Sequence, residues 1–317
     1  MLRTKPLKQI LADAEHPDHR LSRTLTVTDL IALGVGAIIG TGIFVLIGTA
    51  TVGDAVRLGA GPGITLSFLL SGLACVLAAL CYAEFAAMIP VSGSAYTYSY
   101  ATLGEFIAWI TGWNLILEYG VASVAVAIGW SGYFNKLLQI AGIYLPDWAT
   151  HAPGGPEGGV INLPAMIIVL LCTWMLVVGI KESARITTII VVIKLVVIGF
   201  FIAVGADQVD TANWSPFMPN GFAGVGAAAA IVFFAYIGFD AVSTTAEEAR
   251  NPQRDIPIGI IASLGICTLL YLAVAAILTG MIPWQKIDVN APIADALGQL
   301  GFKWGAAIVS VGAVAGI

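Results

Sequence analysis

Charge is what this sequence has least of. Only 10% of its 317 residues are Asp, Glu, Lys or Arg, against 58% hydrophobic, and the mean hydropathy is +0.92. So few charges cannot clothe a soluble fold of this length, which excludes a water-soluble globular protein. Histidine is also scarce. His16, His19 and His151 all fall in polar stretches, 16-HPDH-19 reading as a solvated turn, so no histidine stands inside an apolar run as a base or metal ligand. The four cysteines, Cys75, Cys81, Cys172 and Cys267, sit in apolar runs without metal-ligand spacing and imply no disulfide framework. No Ser/His or paired-Asp constellation lies at depth, which excludes a membrane-embedded protease or acyltransferase; neither a cofactor nor nucleic acid is expected. Residues 1–25 are polar and mixed in charge, unlike a signal peptide.

What is present is a succession of long apolar runs. Spans read at roughly 29–51, 64–89, 100–134, 161–180, 186–206, 222–246 and 258–281, each near or above the ~20 residues that cross a bilayer. An eighth opens near 303 and is cut at Ile317 with no polar stop, so the chain is expected to continue beyond it. The connections on the N-terminal side are short: 90-PVSGSA-95, 181-KESAR-185 and 247-EEARNPQRDIP-257. The longest, 144-YLPDWATHAPGGPEGG-159, lies on the other side, and its Pro and Gly mark a connection, not a domain. On the N-terminal side stand nine bases, Arg3, Lys5, Lys8, Arg20, Arg23, Lys181, Arg185, Arg250 and Arg254; on the other stand four, Arg57, Lys136, Lys286 and Lys303. The bias predicts a cytoplasmic N-terminus.

The first span carries 34-GVGAIIGTGIF-44 and the sixth 224-GVGAAAAIVFFAYIGFD-240, so both are apolar helices interrupted by glycine near mid-depth. Two interrupted segments five spans apart point to an inverted-repeat transporter with its site at the bilayer midplane. Glycines 34 and 36 suit close helix packing. The run Gly40-Thr41-Gly42 is different, because it stacks permissive backbone and a hydroxyl within three residues. Unwinding there frees the N–H groups of Gly40, Thr41 and Gly42 and the carbonyls of Ile38 and Ile39. The half-helix dipoles then meet at mid-depth with opposite ends. A zwitterion fits: carboxylate to the N–H groups, ammonium to the carbonyls. A dinucleotide loop does not, since that motif needs a preceding strand and a soluble βαβ unit.

The stretches GAIIGTGIF, 233-FFAYIGFD-240, 247-EEARNPQRDIP-257 and 82-YAEFAAMIPVSGSAYTY-98 resemble the amino acid–polyamine–organocation superfamily, most closely its cationic amino acid transporter family and bacterial ApcT-like permeases. The likeness covers essentially the whole chain. It implies an all-α polytopic membrane protein with a leucine-transporter-type 5+5 inverted repeat and broken first and sixth helices. The expected division is a tail at 1–28, a first five-helix repeat at 29–206, and the start of a second at 207–317. The family has about twelve to fourteen spans, so the resemblance leads one to expect a further C-terminal part beyond Ile317. The resemblance also implies a proton-coupled, alternating-access importer of L-amino acids in the plasma membrane of a bacterium, with substrate, proton and lipid as its partners. Carried over by position, Ile38, Ile39, Gly40, Thr41 and Gly42 line the substrate, as do Phe233, Phe234, Ala235 and Ile237, with Phe234 as an aromatic lid. Lys194 falls where proton-coupled relatives place a lysine and sodium-coupled ones a metal site. A sodium-coupled carrier, an exchanger and a non-transporting membrane scaffold are the alternatives.

Three charged groups carry two readings each. Lys194 sits centrally in 186-ITTIIVVIKLVVIGFFIAV-204, where an unpaired charge costs ~3 kcal/mol; it is a proton site, or a brace donating to the unwound first span. Glu118 shares a helical face with Asn114 and is a side-chain selectivity determinant or a paired structural carboxylate. Asp240 is an N-cap or a substrate-side contact. Asp29 reads as the N-cap of the first span. Glu84, Glu247 and Glu248, with Arg250 and Arg254, read as ion pairs of a cytoplasmic gate.

Overall fold

The computed structural model describes residues 3–14, 21–154, 158–178 and 184–317. The turn expected at 16–19, residues 155–157 of the long loop and residues 181–183 of the loop at 181–185 lie outside the described residues. Among the described residues, strand-type pairing is limited to two isolated bridges, Leu25 with Ala249 and Gly53 with Leu58. Helix is the one open-chain form that satisfies its own backbone in hydrocarbon. Among the described residues, six helical stretches are long and apolar enough to cross a membrane: Val27–Val52, Gly61–Met88, Glu105–Ile140, Thr188–Ala206, Gly221–Glu248 and Pro252–Met281. Leu163–Val178 and Lys303–Gly316 are apolar but shorter.

The α-helices in chain order are α1 (Leu7–Ala14), α2 (Val27–Ile38), α3 (Ile47–Val52), α4 (Ile64–Met88), α5 (Ser94–Thr102), α6 (Glu105–Ile140), α7 (Leu163–Val178), α8 (Ala184–Ala206), α9 (Gly221–Val232), α10 (Pro252–Met281), α11 (Pro292–Gln299) and α12 (Lys303–Gly316). Three boundaries differ from those expected. The third span starts at Glu105, not at 100, because Gly104 turns the chain at φ +97° after the separate helix α5. Its 36 residues make a rod of about 54 Å, longer than a hydrocarbon core, and take Lys136 into the helix. The seventh span starts at Pro252: Asn251 precedes a proline at the first helical position, and the Asp255 carboxylate accepts the Asn251 amide at 3.2 Å. Asp29 is not the N-cap of α2. Thr26 takes that place, with Asp29 three residues on, its carboxylate accepting the Thr26 amide at 2.9 Å and hydroxyl at 2.6 Å.

The chain forms two compact units. One comprises Met1–Ile38, Gly72–Ala122 and Tyr236–Thr268; the other Ile39–Ser71, Ser123–Ala235 and Leu269–Ile317. The first and sixth spans pass from one unit to the other at their interruptions. In the first unit, glycines let backbones approach: a Cβ on Gly34 would lie 2.5 Å from Ser263 Oγ, and one on Gly259 3.1 Å from Leu30 Cβ. The tail is stitched alongside, with the Leu25 amide on the Glu248 carbonyl at 3.0 Å and the Arg250 amide on the Leu25 carbonyl at 3.0 Å. In the second unit, Ser67 and Ser71 of α4 donate to the carbonyls of Val225 and Ala229 of α9, at 2.9 and 2.7 Å. Two serines four residues apart thus meet two carbonyls four residues apart. Gly312 and Gly316 of α12 admit Val197 and Lys194 of α8, and a Cβ at Gly316 would stand 2.7 Å from Lys194 Cγ.

Candidate functional site

The first span stops being α-helical at Ile38, bends through Ile39 and Gly40, and resumes as a wide π-turn over Gly42–Leu46 before α3. Bending in an apolar medium leaves carbonyls without their helical partners. The second unit supplies donors from its side chains. Lys194 Nζ, on a side chain only 6% exposed, donates to the Ile39 carbonyl at 2.7 Å. The Tyr133 hydroxyl donates to the Phe44 carbonyl at 2.7 Å, its ring edge-on to Phe44 at 5.8 Å. In the sixth span α9 gives way at Val232 to a tight turn over Phe233–Tyr236, and the Tyr271 hydroxyl donates to the Ala235 carbonyl at 3.0 Å.

The two interrupted segments touch within that unit. A Cβ at Gly42 would overlap the backbone of Ala235, while one at Gly129 of α6 would stand 2.5 Å from Thr41 Cγ2 and 3.0 Å from Val45. Glycine is required at both for the approach. Gly40 is the opposite case, with nothing within 4 Å of an added Cβ, so it borders open space. The Thr41 hydroxyl is buried beside it without a hydrogen-bond partner among the described residues. That hydroxyl is packed against α6, where a Cβ at Gly129 would stand 3.3 Å from it, so the open space at the interruption is the space beside Gly40. Ile39, Gly40, Thr41, Gly42, Phe233, Phe234, Ala235 and Lys194 all belong to this unit. Phe233 is 44% exposed, Phe234 half-buried and Ala235 buried.

Ile38, Ile237, Glu118, Asp240, Glu84, Glu247 and Glu248 belong to the other unit. Gly238 holds φ at +113°, with the site of its missing Cβ 2.9 Å from the Ala37 carbonyl oxygen. Asp240 then opens a tight helical segment, Asp240–Glu248, whose N-cap is Phe239. Asp240 is therefore one residue past the N-cap; its carboxylate, 5% exposed, accepts the Tyr119 hydroxyl at 3.3 Å and also bonds to backbone at Gly238, Asp240 and Ala241. Glu118, half-buried, lies close enough to Asp240, Tyr82 and Tyr119 for their charges to interact. Tyr82 sits edge-on to Phe239 at 5.6 Å and to Tyr98 at 6.1 Å. Two acids and two phenols thus gather in the inner half of this unit.

The expected gate has a different chemistry. Glu247 accepts the Ser92 amide at 2.9 Å, the Glu248 carbonyl holds the tail, and Arg250 Nε donates to the Thr24 carbonyl at 3.2 Å. Among the described residues the Glu247 and Arg250 contacts are charge to backbone and the Glu248 contact is backbone to backbone; Glu84 is exposed.

Sequence reasoning passed over Tyr133, Tyr271, Tyr119 and Gly129. A signal was available for the tyrosines, since a phenol deep in an apolar run needs a hydrogen-bond acceptor. Removing one tests the account. Tyr271→Phe leaves the Ala235 carbonyl unsatisfied and is expected to destabilise the protein by ~1–3 kcal/mol, read as a lowered melting temperature in detergent; an unchanged melting temperature would refute the bracing role.

Interrupted first and sixth helices, buried donors on the freed carbonyls and an all-helical polytopic fold define a multi-pass membrane protein of the carrier type. Residues 25–317 match the amino acid permease family, and the chain belongs to it. It is 50% identical over its whole length to a methylthioribose transporter of Bacillus subtilis (strain 168), spanning 67% of that protein. It is 52% identical to the branched-chain amino acid permease BcaP of the same bacterium, again spanning 67%. Over 94% of the chain it is 43% identical to the chloroplastic cationic amino acid transporter 9 of Arabidopsis thaliana, of which it spans 52%. These relatives are permeases and transporters, not enzymes.

Proposed function

We propose that this protein imports L-amino acids, cationic or neutral, across a bacterial plasma membrane by proton-coupled alternating access, with its N-terminus in the cytoplasm. The observation that carries the reading is the interruption at Ile39–Gly42, where Lys194 holds one freed carbonyl and Gly40 borders open space. Exposed backbone at mid-depth is what a zwitterion needs, because peptide N–H groups meet its carboxylate and carbonyls its ammonium. Lys194, the one base central to a span, is the group proposed to take up and release the coupling proton. The division into a five-helix repeat at 29–206 and the start of a second at 207–317 is part of the same reading. The permease named for branched-chain amino acids and the plant cationic transporters support the substrate class. The methylthioribose transporter, at 50% identity, favours a second reading in which the cargo is a neutral thio-sugar.

Uptake into proteoliposomes, with and without an inward proton gradient, separates the two: radiolabelled lysine, leucine and alanine in one panel, methylthioribose in the other. Gradient-driven uptake of an amino acid supports the first reading, and uptake of methylthioribose alone supports the second. The acids of the inner half bear on choice within the first. Glu118→Gln or Asp240→Asn is expected to weaken lysine relative to alanine by about tenfold, the worth of one charge-assisted hydrogen bond. Equal loss for both substrates would show the two acids to be structural.

A further inference from the structure

Helix α11 does not cap itself. Its N-cap is Ala291, which has no side-chain oxygen to accept the first amides of the helix. Tyr133 of α6 supplies the acceptor instead: its phenol oxygen takes the amides of Ile293 and Ala294 in the first turn of α11. The same hydroxyl donates to the Phe44 carbonyl at 2.7 Å, and the Phe44 amide in turn donates to the Gly40 carbonyl at 3.3 Å. One side chain, 0% exposed, thus joins α11, α6 and the π-turn of the first span, and the chain of bonds ends at the residue that borders open space.

The parts around Tyr133 are packed to move together. Gly48 of α3 and Gly132 of α6 face the stretch leading into α11 from two sides. A Cβ at Gly48 would stand 2.7 Å from the Asp288 carbonyl oxygen and 3.2 Å from Pro292 Cβ, and one at Gly132 2.8 Å from the Asn290 carbonyl oxygen. Backbones this close leave no gap in which one could shift without the others. Lys136, three residues beyond Tyr133, pairs with Asp295 of α11 at 2.6 Å. Ile293, Ala294, Ala296 and Leu297 are all buried, so α11 is wedged into its unit and does not lie along the surface. By span count this corner is on the membrane face opposite the N-terminal tail. Together these contacts clamp the half of the first span that lies beyond Gly40.

We propose that Tyr133 is a positioning residue for transport: it ties the half-helix beyond Gly40 to α11, so that the two close the space beside Gly40 against the face opposite the tail, and open it, as one body. The proposal takes its purpose from the transport reading, but its test needs no substrate. Gly40→Cys places a thiol in the open space, in a chain carrying Cys81→Ser and Cys172→Ser to remove the exposed native thiols. Vesicles of known sidedness are treated with a membrane-impermeant thiosulfonate on the face opposite the tail, and the labelling rate is measured. Adding Tyr133→Phe keeps the ring and removes the hydroxyl; it is expected to speed labelling from that face about tenfold, the worth of one buried hydrogen bond. Lys136→Met loosens the same clamp at a partly exposed ion pair and is expected to speed labelling about threefold. The two together should give less than the product of their separate effects, because they act on one body. Tyr271→Phe is the control for loosening in general, since it frees a carbonyl of the sixth span in the same unit, and it is expected to leave the rate unchanged. An unchanged rate in Tyr133→Phe overturns the proposal, and an equal rise in Tyr271→Phe does so too. If Tyr133→Phe fails to fold, an unchanged rate in Lys136→Met overturns it. Uptake by the unaltered chain tests the transport reading separately, and its failure would leave the labelling result standing.

Discussion

Lys194→Met is expected to abolish proton-driven accumulation while leaving part of the substrate binding in place. Methionine keeps the length and apolar stem of the side chain and removes the ammonium. The bond of 2.7 Å to the Ile39 carbonyl goes with it, leaving that acceptor unsatisfied in a buried setting, a loss of ~1–3 kcal/mol in how firmly the interruption is held. If proton loss from Lys194 releases the first span from α8, the variant is fixed in the released condition and cannot link the two events. The measurement is accumulation in proteoliposomes under an inward proton gradient, with counterflow in parallel: accumulation should vanish, and counterflow should persist at a reduced rate. Gly316→Ala perturbs the same group without removing it, because the new methyl would meet Lys194 Cγ at 2.7 Å. It should lower accumulation less. A Lys194→Met protein that concentrates substrate to the wild-type level would place the coupling proton elsewhere, with Glu118 and Asp240 the next groups to test.

The second large effect distinguishes two glycines that the sequence makes look alike. Gly42→Val is expected to damage folding and binding together, since even its Cβ overlaps the Ala235 backbone, so that one of the two interrupted segments must shift. Overpacking of that kind costs ~1–3 kcal/mol or more. Gly40→Leu is expected to abolish substrate binding with the melting temperature within a few degrees of wild type, because its side chain enters space no protein atom within 4 Å occupies. Binding of the best-transported amino acid from the uptake panel, measured on both purified variants with their melting curves, decides it. Wild-type affinity in Gly40→Leu would show that the space beside Gly40 is not where substrate sits.

Much of the fold was legible in the sequence because hydrocarbon leaves few choices. Long apolar runs become helices, and Gly40-Thr41-Gly42 falls where the first span stops being α-helical, whereas the sixth stops at Val232, six residues before Gly238. Boundaries set by local chemistry were less legible. The third span begins five residues later than its hydropathy indicates because Gly104 turns, and the seventh begins earlier because Asn251, Pro252 and Asp255 start a helix inside what composition reads as loop. Asp240 carries two readings in the sequence, N-cap or substrate-side contact; it lies one residue past the N-cap Phe239, and its approach to Tyr119 is not legible from its own segment. The gate acids Glu247 and Glu248 were read as partners for arginine, yet amides in a tight turn reach Glu247 first.

By itself the sequence determined that the chain crosses a membrane many times, that two of its helices are interrupted near mid-depth, and that one base stands central to an apolar span. Each follows from composition along the chain, which water and lipid sort without reference to distant residues. Only the tertiary structure decided what completes the interruptions. The carbonyls of Ile39, Phe44 and Ala235 are satisfied by Lys194, Tyr133 and Tyr271, which stand 155, 89 and 36 residues away. Which donor meets which carbonyl is set by the glycine contacts that bring helices together, and no periodicity along one helix records where its neighbour will press.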